Sequence, residues 1–267
     1  MRPLPAMPPP AVESLLLQLK SRGFACISLE PWIKDALQSA TSQDAATMNG
    51  FRFPPLEGRI VYTESKRQAF RALFEVATTC FLGLLKSGGV DQDDVICKAY
   101  VDALQQIRDG NNGYGSFRLF SNENEPFEAG QPFSQSFFNL FNYNHGSLNS
   151  HVDRSLLTII YSKTQSQTTL DNNIHRSALW VKDNNEIWHN ADQVVTRDEA
   201  IVMVGEDLVE AGGGKIASTL ELFAAEHAVR VDPMGDRIER SHFRKDPSCT
   251  DGVINRLSAA MILRHEL

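Results

Sequence analysis

Cysteine is scarce in this chain. Its four cysteines, Cys26, Cys80, Cys97 and Cys249, are widely scattered. They show neither the paired spacing of a metal knuckle nor the density of a disulfide scaffold. Three sit among apolar neighbours and read as packed thiols, so a reducing, cytoplasmic compartment is the simplest expectation. Positive charge is also short: 26 Lys+Arg stand against 33 Asp+Glu, giving a net charge of -7. That balance argues against a nucleic-acid partner or an anionic membrane. No apolar run reads as long enough to span a bilayer. Residues 1–10 are proline-rich and lack an apolar signal-peptide segment, so they read as a disordered tail. No internal repeat is visible.

What is present is enough apolar residue, 42% of 267, for a sizeable core. Val12, Leu15, Leu16 and Leu19 recur at helical spacing, and Gly23 follows as a stop signal. A short apolar run over 24–29 fits a buried strand. A second helix is expected over 32–40, with Pro31 at its start. The strongest helix signal covers 64–86, where Phe70, Leu73, Phe74, Ala77, Phe81, Leu84 and Leu85 form one stripe; such a stripe is core rather than a cofactor box. A further helix is expected over 91–107. Near Asn111-Asn112-Gly113 the character changes to short β-type runs between polar turns, at 117–120, 136–143, 156–162, 178–182, 201–204, 227–231 and 237–243. The expected class is α+β. Residues 11–115 form a mainly helical region, packed on a double-stranded β-helix (jelly-roll) core over 116–267, as one integrated domain. The polar stretch 162–176 reads as a loop, either solvated or rimming the mouth of the core.

Chemistry concentrates at His151-Val152-Asp153 and, far downstream, His227. Residues two apart on an extended strand point the same way, so His151 and Asp153 can share one ion. A histidine from a neighbouring strand completes a facial triad, which leaves positions open for substrate and dioxygen. The alternative is a surface turn pair and a packed strand histidine. His145, His175, His189, His242 and His265 read as turn, surface or satisfied strand residues, with His145 the nearest to the proximal ligands.

Several blocks occur in an order that resembles the isopenicillin N synthase-like Fe(II)/2-oxoglutarate-dependent oxygenases. They are AVESLLLQLKSRGFACISL at 11–29, HVDRSLLTII at 151–160, Leu179-Trp180-Val181, VGEDL at 204–208, Gly213-Gly214-Lys215, EHAV at 226–229 and Asp246-Pro247. The resemblance implies Fe(II) held by His151, Asp153 and His227. It also implies 2-oxoglutarate anchored by Arg237, ten residues after His227, because a guanidinium grips a carboxylate with two parallel bonds. Tyr143 either hydrogen-bonds the co-substrate or fills the core as a strand aromatic; Asn142 and Asn144 are weaker candidates. The chain departs from the pattern in three ways. Glu239 stands where the family has a serine two residues after the arginine, with Arg240-Ser241 as a fallback pair. Only seven residues separate Tyr143 from His151. The two histidines are unusually far apart in sequence.

The implied activity is oxidation, by hydroxylation or desaturation, of a small organic substrate with dioxygen. Two alternatives stay open: an iron oxidase of the same fold that uses no 2-oxoglutarate, and a non-catalytic jelly-roll binding protein. A zinc hydrolase is more remote, since no partnered general base accompanies the triad. Substrate identity and oligomeric state are open.

Overall fold

The computed structural model describes residues 9–42, 51–53, 64–109, 136–143, 148–164, 176–232 and 256–263. Helix α1 (Pro9–Arg22) leads into β1 (Phe24–Ser28), α2 (Pro31–Ser42) and β2 (Phe51–Phe53), followed by α3 (Glu64–Ser87) and α4 (Val95–Asp109). Strands β3 (Phe137–Tyr143), β4 (Leu148–Val152), β5 (Leu157–Thr164), β6 (Arg176–Lys182), β7 (Trp188–Asn190) and β8 (Glu199–Val204) come next. Two short helices, α5 (Glu206–Glu210) and α6 (Lys215–Leu220), then β9 (Glu226–Asp232) and β10 (Arg256–Leu263) complete the order.

Helix ends follow local chemistry. Gly23 closes α1 at φ +78, where a Cβ would also strike the Lys182 carbonyl oxygen at 2.7 Å. Both facts require glycine. Helix α4 starts four residues later than its apolar pattern suggests. The Asp91 carboxylate accepts from the Asp93 amide and the Asp94 carboxylate from the Ile96 amide, each at 2.9 Å. Asp94 therefore caps the helix, and the preceding acidic residues form its turn. Helix α3 buries Phe70, Leu73, Phe74, Ala77, Phe81, Leu84 and Leu85 almost completely. By length and composition its Gln68–Ser87 stretch passes as a membrane span, contrary to the sequence expectation, but 67% of its apolar window is buried inside the protein.

All strand pairs among the described residues are antiparallel. A six-stranded sheet has the order β1-β8-β5-β10-β3-β2, and a four-stranded sheet the order β4-β9-β6-β7. Alternation along the large sheet divides its side chains between two cores. Ile159, Tyr161, Val202, Val204, Ala259 and Met261 pack toward the helices. Ile160, Ile201, Met203 and Ala260 pack with Leu179, Val181 and Val229 of the small sheet. The architecture is α+β, as expected, with a two-sheet sandwich backed by helices. The N-terminal region is not only helical, since β1 pairs with β8 and β2 with β3.

The expected strands over 136–143, 156–162, 178–182, 201–204 and 227–231 correspond to β3, β5, β6, β8 and β9. The runs at 117–120 and 237–243 lie outside the described residues, as does most of 162–176. Strand β10 escaped the reading of the sequence. It lies between β3 and β5 and is buried on both faces from Ser258 to Leu263, so no polar alternation marks it. Among the described cysteines, Cys80 and Cys97 are buried and Cys26 is half-buried, all as free thiols. Burial pushes the Cys80 thiol up to about 12, as suits a packed rather than reactive group.

Candidate metal centre

The site grows from one irregularity in the small sheet. Strand β4 pairs with β9 through Leu148↔Val229 and His151↔His227, with a register shift between them. Three steps along β4 thus match two along β9, the signature of a bulge. In a regular ladder His151 would face Glu226 and turn to the outer surface. The bulge returns it to the inner face beside His227, and the two imidazole rings lie 4.3 Å apart. Behind them, Glu226 takes the opposite face. There the Ser150 hydroxyl and the Lys182 ammonium hold its carboxylate, the latter at 3.1 Å, tying β4, β9 and β6 together.

Asp153 follows the end of β4. Its Oδ1 lies 3.3 Å from His151 Nε2 and its Oδ2 lies 3.6 Å from His227 Nε2. One ligand atom from each of the three residues falls within 4.8 Å of the others. The segment that carries Asp153 is locked to α5. The Glu206 amide donates to the Asp153 carbonyl at 2.9 Å and the Leu208 amide to the Ser155 carbonyl at 3.4 Å. Gly205, before α5, permits this approach: a Cβ there would meet Ser155 O and Oγ at 2.2 Å and Asp153 O at 2.8 Å.

The donor set fits a divalent transition ion. His151 Nδ1 lies 2.8 Å from the Asn149 carbonyl oxygen, and His227 Nδ1 lies 3.3 Å from that of Ala225. A carbonyl only accepts, so each Nδ1 is the protonated nitrogen and each neutral ring has its lone pair on Nε2. Both Nε2 atoms face the same carboxylate. Three electron-rich atoms so close together call for a cation between them, and the backbone carbonyls fix the ring orientations as ligand supports do. Without a metal, a proton serves that purpose. The hydrogen bond to Asp153 raises the His151 pKa above its ordinary value, against the opposing effect of burial. Burial alone would raise Asp153, but hydrogen bonding from His151, the nearby His227 and the Thr158 hydroxyl together hold it below the usual carboxylate range. His227 is buried, whereas the His151 side chain is 37% exposed, so the centre opens on the His151 side.

The structure brings His151, Asp153 and His227 together as the sequence led us to expect. Tyr143 ends β3, opposite Arg256. Arg237, Glu239, Arg240, His145, His175, His242 and His265 lie outside the described residues. His189 is a satisfied strand residue, with Nε2 2.9 Å from the Asp183 carboxylate. The sequence reading passed over Arg256. This residue opens β10 at the register position between Tyr143 and Thr164. By alternation its position shares a face with Ser258 and Ala260. It opens the segment Arg256-Leu257-Ser258.

No family model and no curated protein matches the chain. Solved structures do. A protein from Shewanella oneidensis assigned as an oxygenase aligns over 96% of this chain and 87% of its own, with 14% identity and TM-score 0.52. A full-length Neurospora crassa protein, solved in complex with α-ketoglutarate, aligns over 97% of this chain and 79% of its own, with 12% identity and TM-score 0.55. A C-terminally truncated, apo form of the same Neurospora crassa protein gives 12% identity and TM-score 0.51 over 96% and 88% of the two chains. The chain shares the fold of these proteins.

Proposed function

We infer that this protein is a non-haem Fe(II)- and 2-oxoglutarate-dependent oxygenase acting on a small organic substrate, with its two sheets forming a double-stranded β-helix. The observation that carries this reading is the convergence of His151, Asp153 and His227 on one point at the inner face of the small sheet. Two neutral imidazoles and one carboxylate hold Fe(II) while leaving positions for other ligands. Iron with 2-oxoglutarate supplies the oxidising chemistry when bound: the co-substrate loses CO2 to give succinate, O2 is consumed and a C–H bond of the substrate is oxidised. The shared fold with an α-ketoglutarate complex supports that choice of co-substrate.

The protein's own residues bind and orient. His151 and His227 present Nε2, with their Nδ1 protons held by backbone carbonyls. Asp153 supplies the negative charge that an Fe(II) ion requires. Arg256 is the preferred anchor for the far carboxylate of 2-oxoglutarate, with Ser258 beside it and Tyr143 on the neighbouring strand; Arg237 is the alternative. With Arg256 in that role, Glu239 no longer speaks for an oxidase that dispenses with 2-oxoglutarate.

Anaerobic titration with Fe(II), with and without 2-oxoglutarate, tests the reading through the weak visible charge-transfer band of the chelate. The band is expected in the wild-type protein and is lost in His227→Ala. Arg256→Ala weakens 2-oxoglutarate binding and Arg237→Ala leaves it intact; the reverse pattern moves the anchor to Arg237. Iron binding without a band favours the oxidase, and failure to bind iron overturns the oxygenase reading.

A further inference from the structure

Asp153 is the one ligand of the three with two equivalent donor atoms, and its surroundings distinguish them. Oδ1 lies 3.3 Å from His151 Nε2 and Oδ2 3.6 Å from His227 Nε2, so both oxygens look toward a ligand nitrogen and only the hydroxyl contacts of Oδ2 tell them apart. Oδ2 accepts a 2.6 Å hydrogen bond from Thr158 Oγ1. Thr158 Oγ1 in turn lies 3.1 Å from Ser155 Oγ. Ser155 is 0% exposed and Thr158 2%. The direction of this chain follows from proton counting. An ionised carboxylate only accepts, so the single Thr158 proton goes to Asp153, and Ser155 must donate to Thr158. Two buried hydroxyls thus point in series at one carboxylate oxygen, an arrangement in which each bond strengthens the next.

Both hydroxyls stand on fixed backbone. Thr158 sits in β5 between Met203 of β8 and Ile262 of β10. The Ser155 carbonyl is bonded to the Leu208 amide, and Gly205 packs against Ser155 so closely that no side chain fits there. Neither the metal charge balance nor sheet packing needs a hydroxyl at residue 158; valine has the same shape and β-branching.

We propose that Ser155 and Thr158 are positioning residues that make Asp153 a one-oxygen metal ligand. The relay engages Oδ2, leaves Oδ1 for the ion, and so keeps one more coordination position open to a small-molecule ligand. The inference rests on the metal-centre reading above and deepens it. Without the Thr158 proton the carboxylate is free to turn both oxygens to the ion and close that position.

The test compares wild type with Thr158→Val, Thr158→Ser and Ser155→Ala, using Co(II) as the probe, because its visible spectrum reports coordination number in the absence of turnover. Circular dichroism of the metal-free proteins reports the fold. Wild type and Thr158→Ser are expected to share one spectrum and one affinity. Thr158→Val shifts to a weaker, higher-coordinate spectrum, with affinity lowered about 10- to 100-fold. Ser155→Ala leaves the last donor in place and moves the spectrum the same way by less; it carries the test if Thr158→Val does not fold. A folded Thr158→Val with the wild-type spectrum and affinity overturns the positioning role and leaves the metal centre standing. Absence of Co(II) binding by wild type overturns both.

Discussion

The contact at Gly205 makes the sharpest demand on the structure. Its φ of -98 suits any residue, so alanine there brings no backbone strain. The Cβ itself is the difficulty. It would lie 2.2 Å from both Ser155 O and Ser155 Oγ and 2.8 Å from Asp153 O, where real Cβ contacts stay above 3.0 Å. Two of the three obstacles are backbone carbonyls, so no flexible side chain can swing aside. The start of α5 and the 153–155 segment must separate by roughly 1 Å to restore ordinary van der Waals distance. The Glu206-to-Asp153 and Leu208-to-Ser155 bonds, at 2.9 and 3.4 Å, stretch in the process. Overpacking of this kind costs about 1–3 kcal/mol. The displaced segment also carries Asp153, so Gly205→Ala should weaken metal binding about 10- to 100-fold, as loss of a ligand's support does. Urea denaturation of the metal-free protein reads the first effect and Co(II) titration of the folded variant reads the second. A variant with wild-type stability and affinity would refute the close approach. Lost stability with unchanged affinity would show that α5 yields rather than the ligand segment.

The β4 bulge predicts that deletion of Asn149 removes the extra residue and leaves His151 opposite His227 in a regular ladder, still facing inward, so Co(II) binding persists while circular dichroism keeps its β signal; loss of binding in the folded variant would refute the parity argument. Metal competes with the proton on His151, and the Asp153 hydrogen bond raises that residue's pKa. Affinity for Co(II), followed by calorimetry across pH, should therefore still climb above pH ~6.5, the ordinary imidazole value, and level off once His151 is neutral. A plateau already reached below that value would contradict the His151–Asp153 contact. In the metal-free protein the sign reverses for stability. The His151 contribution is complete below the ordinary imidazole pKa and is lost as pH rises through the raised one. That of Asp153 is present above the ordinary carboxylate pKa and is lost as pH falls through the lowered one. Replacement of His151 by alanine should flatten the upper limb of the stability–pH curve of the metal-free protein.

Parts of this protein were legible locally. Helix α3 announces itself because a stripe from Phe70 to Leu85 at helical spacing has only one way to be buried. The His151-x-Asp153 pair and His227 stood out because few side chains bind a transition ion. The failures were equally physical. Strand β10 is central and buried on both faces, so its Ser-Ala-Ala-Met-Ile-Leu run lacks the alternation that marks a half-exposed strand. With β10 unseen, the Arg-x-Ser at Arg256 was not weighed beside Arg237, which lies outside the described residues. The acidic residues before α4 looked helical because their capping bonds have no periodic signature.

The sequence by itself determined which residues are able to hold an ion and where the chain turns from helices to strands, because donor chemistry and burial periodicity are local properties. Tertiary structure alone decided that His151 faces inward, since that parity depends on a bulge counted against another strand. It alone placed Val181 and His227 in one register row, and it alone distinguished the two oxygens of Asp153. Each of these depends on contacts between residues distant in the chain, or on a strand register that no single segment encodes.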